Sequence, residues 1–206
     1  MLINELRKQM VNIGRYLYET GLTSKYSGNI SARDSESGLI VIKPSGIPWL
    51  SITEDELVII NCEGEVVEGK RKPSLETPMH TAVYKLIPQA MAIVHTHSKY
   101  GTGFAVARQP IPAVAINSVE LGGEVPVTPF YLPGSKEDAQ AIAEYLKDRK
   151  AVLLAAHGVI CYGRDLEEAV YFNEIVEEVA QLTLIQRVLG SDARLTPEEI
   201  SSINAI

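Results

Sequence analysis

Cysteine is nearly missing from this chain: Cys62 and Cys161 are the two it has among 206 residues. Two thiols make no disulfide framework, and they suit a reducing compartment. Long apolar runs are also missing, and nothing approaches the roughly 20 residues that a bilayer span needs. There is no block of Lys and Arg, and the formal net charge is −7. That argues against a partner held through its phosphate backbone, so no nucleic acid is expected. The first residues, Met1 to Leu6, are amphipathic and carry an acid at Glu5, unlike a secretory signal. A cytoplasmic protein with no membrane partner is expected. No internal repeat, low-complexity linker or domain boundary interrupts it. Residues 1–206 therefore read as one domain, with 46% hydrophobic and 22% charged residues to build one core.

Histidine is scarce as well, and its placement is informative. The four are His80, His95, His97 and His157. Ile93-Val94-His95-Thr96-His97 ends an apolar run. In an extended strand alternate side chains share a face. At roughly 3.3 Å per residue, His95 and His97 stand about 7 Å apart along the strand. Two such imidazoles can converge on one metal ion at about 2.0–2.1 Å each. His157 follows a second apolar run, in Ala155-Ala156-His157-Gly158, and burying it there without a partner is costly. Three histidines with a fourth position open is the layout of a catalytic zinc site. A His-x-His pair alone is more often coincidence, so the neighbouring motifs carry the weight.

In chain order, Ile3, Leu6, Met10, Ile13 and Leu17 mark one helix face, and Gly21 caps its end. Lys25 to Ser31 is a turn rich in Ser, Gly and Asn, which reads either as an ordinary turn into a strand or as a ligand loop. Gly28 would let a ligand approach the backbone and Asn29 could donate through its amide. Gly38 to Lys43 is a strand that runs into Pro44-Ser45-Gly46. Leu57–Asn61 and Glu65–Glu68 flank a hairpin turn at Glu63-Gly64. A helix beginning near Pro78 is capped by Thr77 or Ser74. Its N-terminus is a ready anion site, with Glu76 beside it. His80 reads as packing or bonding within that helix, the alternative being an i, i+4 metal pair with Glu76. Tyr100–Ala107 is helical, Pro110–Ile116 enters a strand, and Val125–Phe130 is another strand. Ser135 caps a helix, Ala151–Ala155 and Val159–Gly163 are strands, Asp165 starts a long helix, and Thr196 starts a short one.

Five segments in one order carry a resemblance: Ser27-Gly28-Asn29-Ile30-Ser31, Lys43-Pro44-Ser45-Gly46, Pro73 to His80, His95-Thr96-His97-Ser98 and Ala156-His157-Gly158. Together they resemble the class II aldolase and adducin-head family over about residues 5–190. The resemblance implies a three-layer α/β/α fold around a mainly antiparallel sheet, one zinc ion per subunit or another divalent metal, and a homotetramer with sites near its subunit interfaces. It implies His95, His97 and His157 as metal ligands. Glu76 would be the catalytic acid/base, and a ligand while the site is empty. Gly28, Asn29, Ser45, Gly46, Ser74 and the Leu75 amide would hold the phosphate of a small sugar. Leu75 stands where many relatives have a second serine. The tyrosine that fuculose-type aldolases carry near Ala115-Ile116-Asn117 is absent, and Tyr131 is the nearest stand-in. The expected reaction is cleavage of a short ketose 1-phosphate, of fuculose or 5-deoxyribulose type, to dihydroxyacetone phosphate and an aldehyde. A ribulose-5-phosphate 4-epimerase, a methylthioribulose-1-phosphate dehydratase and a non-catalytic adducin-like module are the alternatives. Epimerases of the family carry Asp where Glu76 stands.

Overall fold

Alternation along the strands decides this architecture, because both faces of the sheet are covered. The computed structural model describes residues 3–205. Met1, Leu2 and Ile206, which the reading of the chain ends includes, lie outside the described residues. The strands are β1 (Asn29–Arg33), β2 (Ile40–Ile42), β3 (Val58–Ile60), β4 (Val66–Glu68), β5 (Ala92–Thr96), β6 (Ala151–Leu154) and β7 (Gly158–Gly163). They form one sheet in the order β4-β3-β2-β1-β5-β7-β6, and each neighbouring pair is antiparallel. The helices are α1 (Ile3–Glu19), α2 (Thr77–Leu86), α3 (Lys99–Ala107), α4 (Lys136–Leu146), α5 (Leu166–Val188) and α6 (Pro197–Ile203). The fold is the expected α/β class with a central antiparallel sheet between helices.

On one face Ile30 and Ala32 of β1, Val41 of β2 and Val94 of β5 pack with Leu6, Met10 and Leu17 of α1 and Leu166 and Val170 of α5. Further along it, Val159 and Cys161 of β7 pack with Phe104 of α3 and Ile175 and Val176 of α5. On the opposite face Ile40, Ile42, Ile93 and Ile160 pack with Met79, Val83 and Tyr84 of α2 and Ile142 and Leu146 of α4. An antiparallel sheet usually keeps one face wet and alternates polar with apolar. Here helices close both faces, so β2, β3 and β5 are buried throughout.

The helix starts follow the sequence. Ser135, Asp165 and Thr196 each accept a backbone N–H three residues on. Three expectations need correction. The N-cap of α2 is Glu76, not Thr77 or Ser74; the Ser74 hydroxyl instead accepts from the Glu76 N–H at 3.2 Å. Val125–Phe130 is not a strand, and Pro110–Ile116 does not run into one. Each makes only isolated bridges, Ile111 with Val125 and Val127 with Leu153. Pro110, Pro112, Pro126 and Pro129 remove the backbone donors that a continuous ladder requires. Residues Ile116–Leu121 form a short 3-10 helix instead. No helix is long and apolar enough to cross a membrane among the described residues.

Candidate active site

His95 lies near the end of β5, in register with Asn29 of β1 and Ile160 of β7. Alternation turns it to the α2 face, as it does Ile93. Its Nδ1–H donates to the Val159 carbonyl at 2.8 Å. That bond fixes the tautomer and leaves the Nε2 lone pair free. His97 stands just past the strand, its Nε2 3.2 Å from that of His95. His157 sits in the turn between β6 and β7. The turn puts Ala156 in the left-handed region at φ 59°, a conformation costing about 1 kcal/mol for a residue with a Cβ. Bonds from Ala156 N to the Ala105 carbonyl at 3.0 Å and from His157 N to the Leu154 carbonyl at 2.9 Å hold it.

Two glycines make this convergence possible. A Cβ on Gly158 would lie 2.4 Å from the Thr96 carbonyl oxygen and 2.9 Å from the His97 ring. A Cβ on Gly28 would lie 2.5 Å from the His95 carbonyl oxygen, at φ +72°. The absent side chain of Gly28 thus admits the protein's own backbone.

The three imidazoles meet pairwise edge to face, with centroids 4.8 to 5.0 Å apart. Their nearest nitrogens all lie within 4.8 Å of one another. Nitrogens about 2.0–2.1 Å from one tetrahedral ion would stand about 3.3 Å apart, close to the separation of His95 from His97. Burial, reinforced by the neighbouring histidines, pushes His97 down to about 3 and His157 to about 4. Both are therefore neutral near pH 7, the form that binds metal. A bare Nε2 facing a second ring nitrogen at this range is repulsive unless a cation or proton lies between them. The donor set fits a divalent metal ion.

Glu76 completes the group. Its Oε2 is 3.4 Å from His95 Nε2 and its Oε1 3.6 Å from His157 Nε2. Burial raises the carboxyl, but His95, His157 and the Asn29 amide outweigh it, and the net displacement is downward. Asn29 Nδ2 donates to Oε2 at 2.6 Å, while Oε1 is buried without a hydrogen-bond partner among the described residues.

An open cavity of about 250 Å³ lies over this cluster. Of the residues singled out in the sequence, Gly28, Asn29, Ser45, Gly46, Ser74, Leu75, Glu76, His97 and His157 line it. His95 is fully buried beneath it. Ser45 Oγ accepts from the Leu75 N–H at 3.2 Å and donates to the Pro73 carbonyl at 3.2 Å. The wall near the candidate tyrosine is Pro133, and Tyr131 lies outside the lining. Lys43 and Tyr26 also line the cavity and were not singled out. Lys43 is 2% exposed, with Nζ 4.6 Å from the centre of the Trp49 ring, and burial lowers it to about 8. Its place at the end of an apolar strand was the available signal. His80 is fully packed, as expected, but its ring bonds neither within its own helix nor to the metal group; it reaches β1, bonding Ser31 and Asn29.

The family model described as "Class II Aldolase and Adducin N-terminal domain" matches residues 8–184. The chain belongs to this family. It is 36% identical over 203 residues to a 5-deoxy-D-ribulose 1-phosphate aldolase of Bacillus thuringiensis serovar kurstaki, covering 98% of this chain and 95% of that protein. It is 32% identical over 210 residues to the L-ribulose-5-phosphate 4-epimerase UlaF of Salmonella paratyphi B, covering 95% and 90%. A solved L-fuculose 1-phosphate aldolase superposes with a TM-score of 0.94 at 34% identity, over 98% of this chain and 95% of that one. The class II aldolase fold and an enzyme of that family are thus established, with a histidine group able to hold a divalent metal.

Proposed function

We propose that the chain, acting as one domain, is a zinc-dependent aldolase that reversibly cleaves a short ketose 1-phosphate to dihydroxyacetone phosphate and a small aldehyde. The observation that carries this reading is Glu76 set against two of three converging imidazoles, at 3.4 and 3.6 Å, on the floor of a polar cavity. Substrates of 5-deoxyribulose or fuculose 1-phosphate type are supported by the relatives bearing those names.

His95, His97 and His157 would hold the zinc, which when bound supplies Lewis-acid stabilisation of the charge that develops on the substrate oxygens. Glu76 moves the proton. In the cleavage direction the carbon–carbon bond breaks as the adjacent hydroxyl gives up its proton and becomes the aldehyde carbonyl. The ionised Glu76 takes up that proton and returns it from Oε1 to the carbon that becomes part of dihydroxyacetone phosphate, and in synthesis it removes the proton from that carbon. Oε1 suits this role because it accepts no hydrogen bond among the described residues and lies 3.6 Å from His157 Nε2, beside the metal group.

The far end of the cavity takes the phosphate. Ser45, Gly46, Ser74, the Leu75 amide, Gly28 and the remaining Asn29 N–H offer donors, and Lys43 adds a buried positive charge. An ester dianion there would replace the Ser45 contact to Leu75 and gain a partly desolvated cation. Nothing requires a Schiff base.

The working form in this reading is a cytoplasmic homotetramer. Association of copies, though not their number or compartment, is supported by the exposed apolar residues late in α5, where Leu184, Ile185 and Val188 are 45, 47 and 80% exposed. A second reading, 4-epimerisation of a pentulose phosphate, is favoured by the resemblance to UlaF.

The test is to incubate the purified protein with 5-deoxyribulose 1-phosphate, fuculose 1-phosphate and ribulose 5-phosphate. Dihydroxyacetone phosphate should form from at least one 1-phosphate. An epimer from the 5-phosphate with no triose phosphate from any substrate would replace the first reading with the second.

A further inference from the structure

Beneath Glu76 a chain of buried polar groups crosses from β1 to α2 and away from the cavity. Asn29 Nδ2 meets Glu76 Oε2 at 2.6 Å. The other end of that amide meets His80 Nε2. His80 Nδ1 lies 2.6 Å from Ser31 Oγ, which lies 2.8 Å from the Tyr84 hydroxyl. His80 and Ser31 are 0% exposed, Tyr84 1% and Asn29 5%. Each group has a partner at both ends except Tyr84, which closes the chain.

Donor and acceptor chemistry allows one direction along it. A carboxylate only accepts, so the Asn29 nitrogen faces Glu76 and its oxygen faces His80. His80 must then donate from Nε2, which leaves Nδ1 as an acceptor. Ser31 donates its single proton to Nδ1, and Tyr84 therefore donates to Ser31. Burial supports these states: it pushes His80 down to about 3, and it pushes the Tyr84 phenol up. The imidazole is neutral and the phenol keeps its proton. An amide cannot pass a proton onward, so the array orients and does not conduct.

We propose that His80 is a positioning residue: held by Ser31 and Tyr84 in its Nε2–H tautomer, it locks the Asn29 amide so that its N–H2 end points at Glu76, fixing the carboxylate with Oε1 free toward the substrate. If the amide turned over, its oxygen would face Oε2 and drive the carboxylate away. The kinetic part of this inference rests on the proposed acid/base role of Glu76. The geometric part does not.

The first measurement needs no variant. In protein labelled with 15N-histidine, His80 should show a protonated Nε2 and a bare Nδ1 near neutral pH. A protonated Nδ1 with bare Nε2 overturns the proposal, whether or not the protein cleaves any sugar phosphate. The second uses two substitutions. His80→Leu removes both ring contacts and should lower kcat on the order of 100-fold, the scale of loss when a reacting group is misplaced. KM and bound metal per chain should stay near wild type. His80→Gln sets an amide nitrogen near the Nε2 position and should recover much of that loss. Equal rates in the two variants, or a loss carried by KM and metal content, would make His80 a packing residue only. If the tautomer is as stated and no substrate turns over, the aldolase reading fails while the positioning geometry stands.

Discussion

The two faces of β1 and β5 differ sharply although they belong to the same strands. Ile30, Ala32 and Val94 turn toward α1 and α5 into apolar packing. Ser31 and His95 turn toward α2, where Tyr84, His80 and Glu76 meet them. One residue along the strand separates the two environments. Even the polar pair on the first side is closed on itself: Thr96 donates to Asn173 Oδ1 at 2.6 Å, and Asn173 reaches the Val94 carbonyl at 3.4 Å. On the second side polar atoms remain open, Glu76 Oε1 among them. A satisfied buried group stabilises a fold, whereas an unsatisfied one beside a cavity is available to a ligand.

That contrast can be broken most forcefully on the polar face. His97→Ala should abolish metal binding and activity together, read by elemental analysis and by triose phosphate formation. Glu76→Gln should keep the metal and lose turnover by about 10²- to 10⁴-fold, the usual range for a general acid/base; full rate in this variant would remove Glu76 from the mechanism. Next in size, Gly158→Ala should weaken metal affinity although it replaces no ligand. Its Cβ would have to push the Thr96 carbonyl or the His97 ring aside, so unchanged affinity in a titration would show that the turn yields easily.

The apolar face predicts the opposite pattern. Ile30→Ala, one residue from Asn29, should cost roughly 2–5 kcal/mol of stability, measured by denaturant unfolding, with kcat near wild type. A large fall in kcat at full folding would mean that the faces are coupled. The smallest expected effect is the pH slope. His80 titrates at about 3 when folded against an ordinary 6.5. Between those values the unfolded chain binds a proton that the folded chain refuses, so the unfolded state gains as pH falls. Stability from this source is complete above about 6.5 and declines steadily toward 3. Tm should therefore fall on acidification from pH 7.5 to 5, and less steeply in His80→Gln.

Much of the site was legible in the residues. His95 and His97 at the end of an apolar run, and His157 interrupting another, pointed to a shared cation, and the five motifs in order pointed to Glu76. The helix caps at Ser135, Asp165 and Thr196 were legible for the same reason: each involves residues three apart, and local chemistry is written locally. His80 was not, because its partners Asn29 and Ser31 lie 51 and 49 residues away, and nothing in its own helix announces them. Val125–Phe130 misled because β-branched residues and aromatics mimic a strand while the flanking prolines deny it a ladder.

The residues alone determined that an acidic chain of alternating helix and strand patterns carried three candidate ligands, since composition, period and capping act over a few positions, and the resemblance of five motifs added the carboxylate of Glu76. Only the tertiary structure decided that the three imidazoles share one point, that Gly28 and Gly158 clear the space for them, and that Asn29 faces Glu76 rather than solvent. Those outcomes depend on strand register and on which face each side chain takes, and register is settled by packing across the whole sheet.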